Sequence, residues 1–137
     1  MKVNGEMFGK IWTWAGKRRQ IELEGVGSKQ YNIEVELAEL LKDMATWGDT
    51  GMPVIEQAAR LHHKGVLIHP FENGNGRWAR LLSNIWLMQH DSPIVAWPDK
   101  DIVGCSSPIR EKYIAALKRA DKGDIDPLID LHRQYCI

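Results

Sequence analysis

The chain has 137 residues, of which 44% are apolar and 26% are charged, and this suits one globular domain with a single core. Its 18 basic side chains balance its 18 acidic ones, so no overall field draws it to nucleic acid or to an anionic membrane surface. Two cysteines, a start unlike a secretory leader and the lack of a run of about 18 apolar residues predict a cytoplasmic protein without a membrane span.

The first 27 residues carry two patterns. Apolar side chains from Met7 to Trp14 recur at helical spacing and are most simply part of the core. Residues 20–24 then alternate polar and apolar side chains before the glycine-rich tip at 25–27. This alternation predicts a strand-like or hairpin segment, although a plain surface loop fits the residues equally well.

Two helices are predicted before residue 69. Apolar side chains in 33–47 recur at spacings of three and four, and Gly48 ends that helix. Pro53 begins the second helix, which runs to Ile68.

The stretch HPFENGNGRWAR at 69–80 organises the rest of the chain. Gly74 and Gly76 flank Asn75, and glycine tolerates the positive φ that turns successive N–H groups towards one point. Such a concave arrangement of N–H groups is an anion nest. Phe71, just before the glycines, is predicted to lie buried beneath the loop.

The charged groups of this stretch complete a phosphate site. Arg77 and Arg80 are three residues apart, so they face one side of the helix that should follow, near its positive end. A phosphate chain suits these guanidiniums and the nest. His69 is the side chain best able to take a proton near neutral pH. The residues therefore predict a phosphate-binding loop with a general base, which suggests phosphoryl or nucleotidyl transfer.

Two other interpretations of these side chains stay open. His62, His63 and His69 lie within eight residues and invite a metal site, but no cysteine and no HExxH pattern accompanies them. His62 is more simply a hydrogen-bonded histidine of the core. Trp78 either shapes a nucleotide pocket or covers the core.

Three more helices follow the motif. The segment 81–88 is so apolar that it is predicted to lie at the centre of the core. Ser107 and Asp126 each precede a proline, which predicts an N-cap and a first helical residue for the last two helices. The periodicity thus predicts a mainly helical domain with one short β element.

The motif resembles the signature HPFx[D/E]GNGRxxR of the Fic/Doc family, and WAGKRR at 14–19 resembles that family's WAG-x-x-R segment. The resemblance extends from about Met7 onward. It implies an all-α fold in a single domain over 1–137, lacking further helices that usually lie upstream. It also implies that the hairpin at 20–27 is a flap that holds an extended segment of the target protein over the active site.

The resemblance implies a protein adenylyltransferase with ATP as donor. His69 would deprotonate a Ser, Thr or Tyr hydroxyl of a target protein, and this oxygen would attack the α-phosphate. Arg77 would pair with the β-phosphate and Arg80 with the γ-phosphate, while Asn75 would offer its amide to a phosphate oxygen. The alternative for Arg80 is a salt bridge on the helix surface. The implied phosphate-binding set is Gly74, Asn75, Gly76, Arg77 and Arg80.

Asn73 departs from the family pattern, which has Asp or Glu at this position to hold Mg²⁺. An amide oxygen can ligate Mg²⁺ but lacks charge, and the carboxylate of Glu72 is displaced by one residue. Three outcomes follow: weaker but sufficient metal binding, a different phosphate-containing donor, or loss of catalysis. The last would leave a degenerate Fic domain that acts as a nucleotide-binding or interaction module.

Regulation is also implied by the resemblance. Members of the family are commonly inhibited by a helix with the pattern [S/T]xxxE[G/N], whose glutamate pairs with the second arginine of the motif, here Arg80. No convincing copy of this pattern occurs in the chain. Inhibition is therefore expected from upstream sequence or from a separate antitoxin-like partner.

Overall fold

A computed structural model describes residues 27–71, 74–103 and 106–137. A one-turn 3₁₀ helix at Gln30–Asn32 precedes six α-helices. These are α1 (Ile33–Trp47), α2 (Val54–Ile68), α3 (Asn75–Gln89), the short α4 (Asp99–Ile102), α5 (Pro108–Asp121) and α6 (Asp126–Gln134). The mainly helical fold is confirmed. The apolar patch at 7–14 and the predicted hairpin at 20–27, apart from Gly27, lie outside the described residues.

The pair α2 and α3 has the most extensive contact in the fold. Gly65 makes this contact close, because a Cβ built on it would lie 3.1 Å from the Trp78 ring and 3.2 Å from the Ala79 Cβ. Small residues at a crossing allow two helix backbones to approach. The helix that ends before His69 and the helix that begins after Gly74 are therefore packed directly on each other.

The remaining helices cover α2 on two sides. Ala59 of α2 packs with Tyr113 of α5 and Leu128 of α6 in one apolar cluster. Leu61 and Ile68 of α2 belong to a second cluster with α1. Because α2 is surrounded in this way, its polar side chains at positions 57, 62 and 63 are buried together with its apolar ones.

The boundaries of the last two helices follow the predicted signals with one shift. The Ser107 hydroxyl accepts a hydrogen bond from the Arg110 N–H at 3.0 Å and caps α5, as predicted. For α6 the cap prediction is wrong by one residue, since the helix already includes Asp126 and its N-cap is Ile125. The carboxylate of Asp124 instead accepts the Asp126 N–H at 3.3 Å.

The prediction that 81–88 lies at the centre of the core is only partly right. Met88 is exposed, and Leu81 is only half-buried. The buried face of α3 comprises Asn75, Trp78, Ala79, Arg80, Ser83 and Leu87. Polar side chains can occupy a buried face when their hydrogen bonds are satisfied, which apolar periodicity cannot reveal.

In the part of the chain that the structure describes, no helix combines the length and the apolar character needed to cross a bilayer.

Candidate active site

His69 lies at the C-cap of α2 in a left-handed conformation, with φ 53° and ψ 60°. Its N–H donates to the Gly65 carbonyl at 3.1 Å, so the residue ends the helix while staying hydrogen-bonded to it. A non-glycine residue with positive φ costs about 1–3 kcal/mol and is found most often at functional sites. The half-buried His69 is therefore held by the fold at the position where the chain leaves α2.

Asn75 holds the loop that follows. Its amide oxygen accepts the Phe71 N–H at 2.9 Å, and its amide nitrogen donates to the Phe71 carbonyl at 2.7 Å. Gly74 is the N-cap of α3 and has φ 76°, as expected for the turn of an anion nest, whereas Gly76 lies inside α3 and does not have a positive φ. The buried amide of Asn75 thus ties the first turn of α3 to the backbone of Phe71, which is a contact that the phosphate-ligand hypothesis did not include.

Phe71 and Trp78 form the floor of the loop. Phe71 is fully buried, as predicted, and its ring meets the Trp78 ring edge to face with centroids 5.5 Å apart. Trp78 is itself buried and packs against Gly65. Of the two interpretations of Trp78, the structure supports a place in the core.

Arg80 is only 5% exposed, although it carries a charge. Its Nε donates to the Asp99 carboxylate at 3.0 Å, and its Nη1 donates to the Tyr113 hydroxyl at 3.4 Å. No described residue accepts a hydrogen bond from the buried Nη2. A buried guanidinium normally has all its donors satisfied. Arg80 is therefore held through Nε and Nη1, and its buried Nη2 has no acceptor among the described residues.

The surface-salt-bridge alternative for Arg80 fits the structure poorly. Asp99, at the start of α4, is 64% exposed, whereas the arginine side chain is 6% exposed. An ordinary surface pair has both partners in water and contributes little to stability. The cation here is buried, and a single carboxylate at its rim contacts it.

A groove of about 220 Å³ lies beside these groups. It is lined by Arg77, Arg80, Leu81, Asn84, Val95, Trp97 and Asp99. Asn84 holds the far wall, since its amide exchanges two 2.9 Å hydrogen bonds with the backbone of Val95. Arg77 is exposed at the groove, so two cations face it together with the N-terminal turn of α3. The volume of the groove is below the roughly 300–1,000 Å³ of a pocket for a whole ligand, and it suits the phosphates of a nucleotide.

Gly76 makes room for the guanidinium. A Cβ at this position would lie 3.1 Å from Arg80 Nη1, closer than an ordinary contact. We expect Gly76→Ala to push Nη1 away from its hydrogen bond with Tyr113 and to lower the affinity for inorganic tripolyphosphate by about tenfold, the loss of one charge-assisted hydrogen bond. Isothermal titration calorimetry checks this result.

Gly48→Ala is the matched control, because Gly48 has φ −62° and nothing within 4 Å of its would-be Cβ. Equal affinity of the Gly76→Ala and Gly48→Ala proteins for tripolyphosphate would contradict the expected crowding.

His62 is a buried, hydrogen-bonded histidine, as predicted. Its Nε2 is 2.7 Å from the Tyr113 hydroxyl and its Nδ1 is 3.3 Å from His132 Nε2. His63 instead pairs with Asp121 at 2.7 Å. Across the described ranges, no group of three His, Cys, Asp or Glu side chains is placed to hold a metal ion. The metal reading of His62, His63 and His69 therefore has no support there.

The structure also reveals two residues of the site that the sequence did not indicate. Asp99 and Tyr113 contact Arg80 from positions 19 and 33 residues further along the chain. No pattern in the sequence marked Asp99 or Tyr113 as a residue of the site. Glu72 and Asn73, the acidic residue and the metal candidate, lie outside the described residues.

Comparison with known proteins gives consistent results. The model of the Fic/DOC family matches residues 1–87. The chain is 40% identical over 95 residues to Protein adenylyltransferase fic-1 of Caenorhabditis briggsae, which covers 66% of this chain and 17% of that protein. It is 38% identical over 98 residues to Protein adenylyltransferase Fic of Drosophila ananassae, which covers 69% and 18%. The chain thus spans less than a fifth of the length of these curated relatives.

Solved structures agree over more of the chain. Fic-1 from C. elegans superposes with a TM-score of 0.74 at 31% identity, covering 98% of this chain and 38% of that one. BepC from Bartonella tribocorum, solved with bound AMPPNP, superposes with a TM-score of 0.72 over 99% of this chain and 71% of its own. At 21% identity, BepC speaks for the fold alone. Because the family model matches more than half of the chain, and the matched part contains the whole 69–80 motif, the chain belongs to the Fic/DOC family.

Proposed function

We propose that this domain is a protein adenylyltransferase that moves AMP from ATP to a Ser, Thr or Tyr hydroxyl of a target protein. One observation carries the proposal: the buried Arg80 guanidinium lines a groove with Arg77 near the start of the helix that follows His69 and Gly74, and its Nη2 has no acceptor among the described residues. A buried arginine with a purely structural role normally has all its donors satisfied. A terminal phosphate of a nucleotide is an anion with the size and charge to accept from such a guanidinium. The names of the curated relatives agree with this reaction.

The reaction requires one proton transfer and one substitution at phosphorus. His69 takes the proton of the target hydroxyl, and the oxygen attacks the α-phosphorus of ATP. A new P–O bond forms to the target, the bond from the α-phosphorus to the bridging oxygen breaks, and pyrophosphate leaves. The backbone of His69 is held at the C-cap of α2, and this supports its proposed role as a positioned base.

The phosphate chain is held by fixed positive groups. The N–H groups around Gly74, Asn75 and Gly76 and the N-terminal end of α3 would face the α- and β-phosphates. Arg77 would pair with the β-phosphate and Arg80 with the γ-phosphate. The carboxylate of Asp99 keeps Arg80 oriented before the nucleotide arrives. These groups stabilise charge on the leaving pyrophosphate and need little reorganisation.

A magnesium ion fits this site only with help from the nucleotide. Asp99 is the sole carboxylate among the described residues of the groove, and its Oδ1 already accepts from Arg80. Asn73 would supply one amide oxygen, so most oxygen ligands would come from phosphates and water. When bound, Mg²⁺ would neutralise phosphate charge.

The test is transfer of label from α-labelled ATP with Mg²⁺ or Mn²⁺ into a cell lysate and into the protein itself. We expect labelled protein bands with the unaltered chain and stronger labelling with Asn73→Asp, because a carboxylate binds Mg²⁺ more tightly than an amide. The metal-free reaction made with a chelator is the control for both.

Label that appears only with Asn73→Asp would mean that the unaltered chain either uses a different phosphate-containing donor or binds a nucleotide without transferring it. An absence of label in every arm, with ATP still bound, would favour the second candidate, a non-catalytic nucleotide-binding module. Asn73 is the residue that favours that candidate.

The proposed reaction has a target protein, which presents the hydroxyl. Inhibition would come from a second source, an antitoxin-like partner or an upstream segment that competes for Arg80. Co-purification followed by the label assay, with and without the partner, tests the second of these.

A further inference from the structure

A chain of buried polar groups extends from Arg80 through the core to α6. The Tyr113 hydroxyl lies 3.4 Å from Arg80 Nη1 and 2.7 Å from His62 Nε2. His62 Nδ1 lies 3.3 Å from His132 Nε2, and His132 Nδ1 lies 2.8 Å from the Leu128 carbonyl. Both imidazoles are fully buried, and Tyr113 is 6% exposed. Of these buried polar groups, the proposed phosphate-binding function involves only Arg80.

The donor and the acceptor of each hydrogen bond in this series of buried groups follow from its last contact, at the Leu128 carbonyl. The Leu128 carbonyl can only accept, so His132 must carry its proton on Nδ1. Burial lowers the pKa of His132 to about 4, so at neutral pH its Nε2 is bare and must accept. The proton between the two rings therefore sits on His62 Nδ1.

The same reasoning fixes Tyr113. Burial, followed by the nearby His132 and Arg80, lowers the pKa of His62 well below its usual range, so that its Nε2 is also bare. The Tyr113 hydroxyl must then donate its proton to His62, and only its oxygen lone pairs remain to face Arg80. Burial raises the pKa of Tyr113, which keeps it a neutral phenol with that proton to donate.

We propose that Tyr113, oriented by the His62–His132 pair, is a positioning residue that holds the Arg80 guanidinium for the terminal phosphate. Asp99 accepts from Nε and Tyr113 accepts from Nη1, which together fix the plane of the guanidinium at the groove, while Nη2 has no acceptor among the described residues. The nature of the ligand rests on the proposed function, whereas the orientation of Arg80 does not.

The contribution of the Tyr113 hydroxyl can be measured separately from that of its ring. The ring itself lies near the cation, with Arg80 Cζ 5.8 Å from its centroid, and it packs against Trp97. Tyr113→Phe keeps both ring contacts and removes only the oxygen that accepts from Nη1. Tyr135→Phe is the matched control, because Tyr135 packs on the same Trp97 ring and is not part of the chain of polar groups.

The first test needs no substitution and no nucleotide. Long-range ¹H–¹⁵N correlation spectra of the labelled chain at neutral pH should show His62 and His132 neutral, each with its proton on Nδ1. The Arg80 side chain should give separately resolved Nη signals, because two fixed partners slow rotation about its Nε–Cζ bond. A proton on Nε2 of either ring would overturn the proposal.

The second test is a double-mutant cycle read by calorimetry with ATP and with inorganic tripolyphosphate. Tyr113→Phe should weaken binding about tenfold in the presence of Arg80 and have no further effect in the Arg80→Ala background. In turnover assays it should raise KM for ATP by the same factor and leave kcat within about twofold. Loss of equal size in both backgrounds would mean a merely structural role and overturn the proposal.

The two tests separate this proposal from the proposed function. Nδ1 protonation with a ligand-binding cycle that couples Tyr113 to Arg80 supports the positioning role even if no AMP is transferred. Transfer of AMP with an uncoupled cycle supports the enzyme and overturns the positioning role. Should Tyr113→Phe fail to fold, the spectra of the unaltered chain still decide.

Discussion

Replacement of His69 by alanine should lower the rate of AMP transfer by about 10²–10⁴-fold, the usual contribution of a general base. The affinity for ATP should stay within about twofold, because the groups proposed to hold the phosphates lie in the nest and on α3. A large fall in kcat with an unchanged dissociation constant separates proton transfer from binding. Label transfer from α-labelled ATP measures the first quantity and calorimetry measures the second.

His90→Ala is the control for this experiment. His90 is an exposed histidine beyond the end of α3, and its ring packs on Trp86 away from the motif. It should transfer AMP as the unaltered chain does. Full activity of the His69→Ala protein would exclude His69 as the base, and equal losses in both variants would point to a general effect of the substitutions.

Acid should destabilise this domain well above the range in which carboxylates titrate. Burial lowers the pKa of His132 to about 4, and burial followed by His132 and Arg80 lowers the pKa of His62 well below its usual range. In the unfolded chain both rings bind a proton below about pH 6.5. Between these limits the unfolded state holds more protons than the folded state, so the free energy of unfolding falls as the pH falls.

The expected loss from His132 alone is about 2 kcal/mol between about pH 7 and pH 5, and His62 adds to it in the same direction. Urea denaturation at several pH values in this interval measures the slope. His132→Phe keeps a ring of similar size and removes one titrating group, so its slope should be smaller even if its stability at pH 7 is lower. A free energy of unfolding that is flat from pH 7 to pH 5 would contradict the burial of two neutral rings.

The local features of this site could be predicted from the sequence because they depend on near neighbours. The positive φ of Gly74, the helix that starts beside it and the burial of Phe71 all arise within the 69–80 motif. Helical periodicity likewise placed α1, α2, α5 and α6, apart from shifts of one residue at Pro53, which is the N-cap of α2, and at Asp126.

The partners of Arg80 could not be predicted in this way. Asp99 and Tyr113 reach it from helices α4 and α5, and contacts between such distant positions depend on how the helices pack. Asn75 shows the same limit on a smaller scale, since the motif identified its amide but not the loop backbone that it binds. The buried polar face of α3 depends on these contacts, which a count of apolar residues on that helix does not show.

The close crossing of α2 and α3 at Gly65 has a consequence for control of the site. His69 ends one of these helices and Gly74 caps the start of the other, so the close packing at Gly65 holds the two ends of the motif against each other. A hinge motion between the two helices would have to separate Gly65 from the Trp78 ring. That ring packs so closely on Gly65 that a Cβ built there would lie only 3.1 Å from it. We therefore expect a competitor of the nucleotide to act in the groove at Arg80, whose rim at Asp99 is exposed.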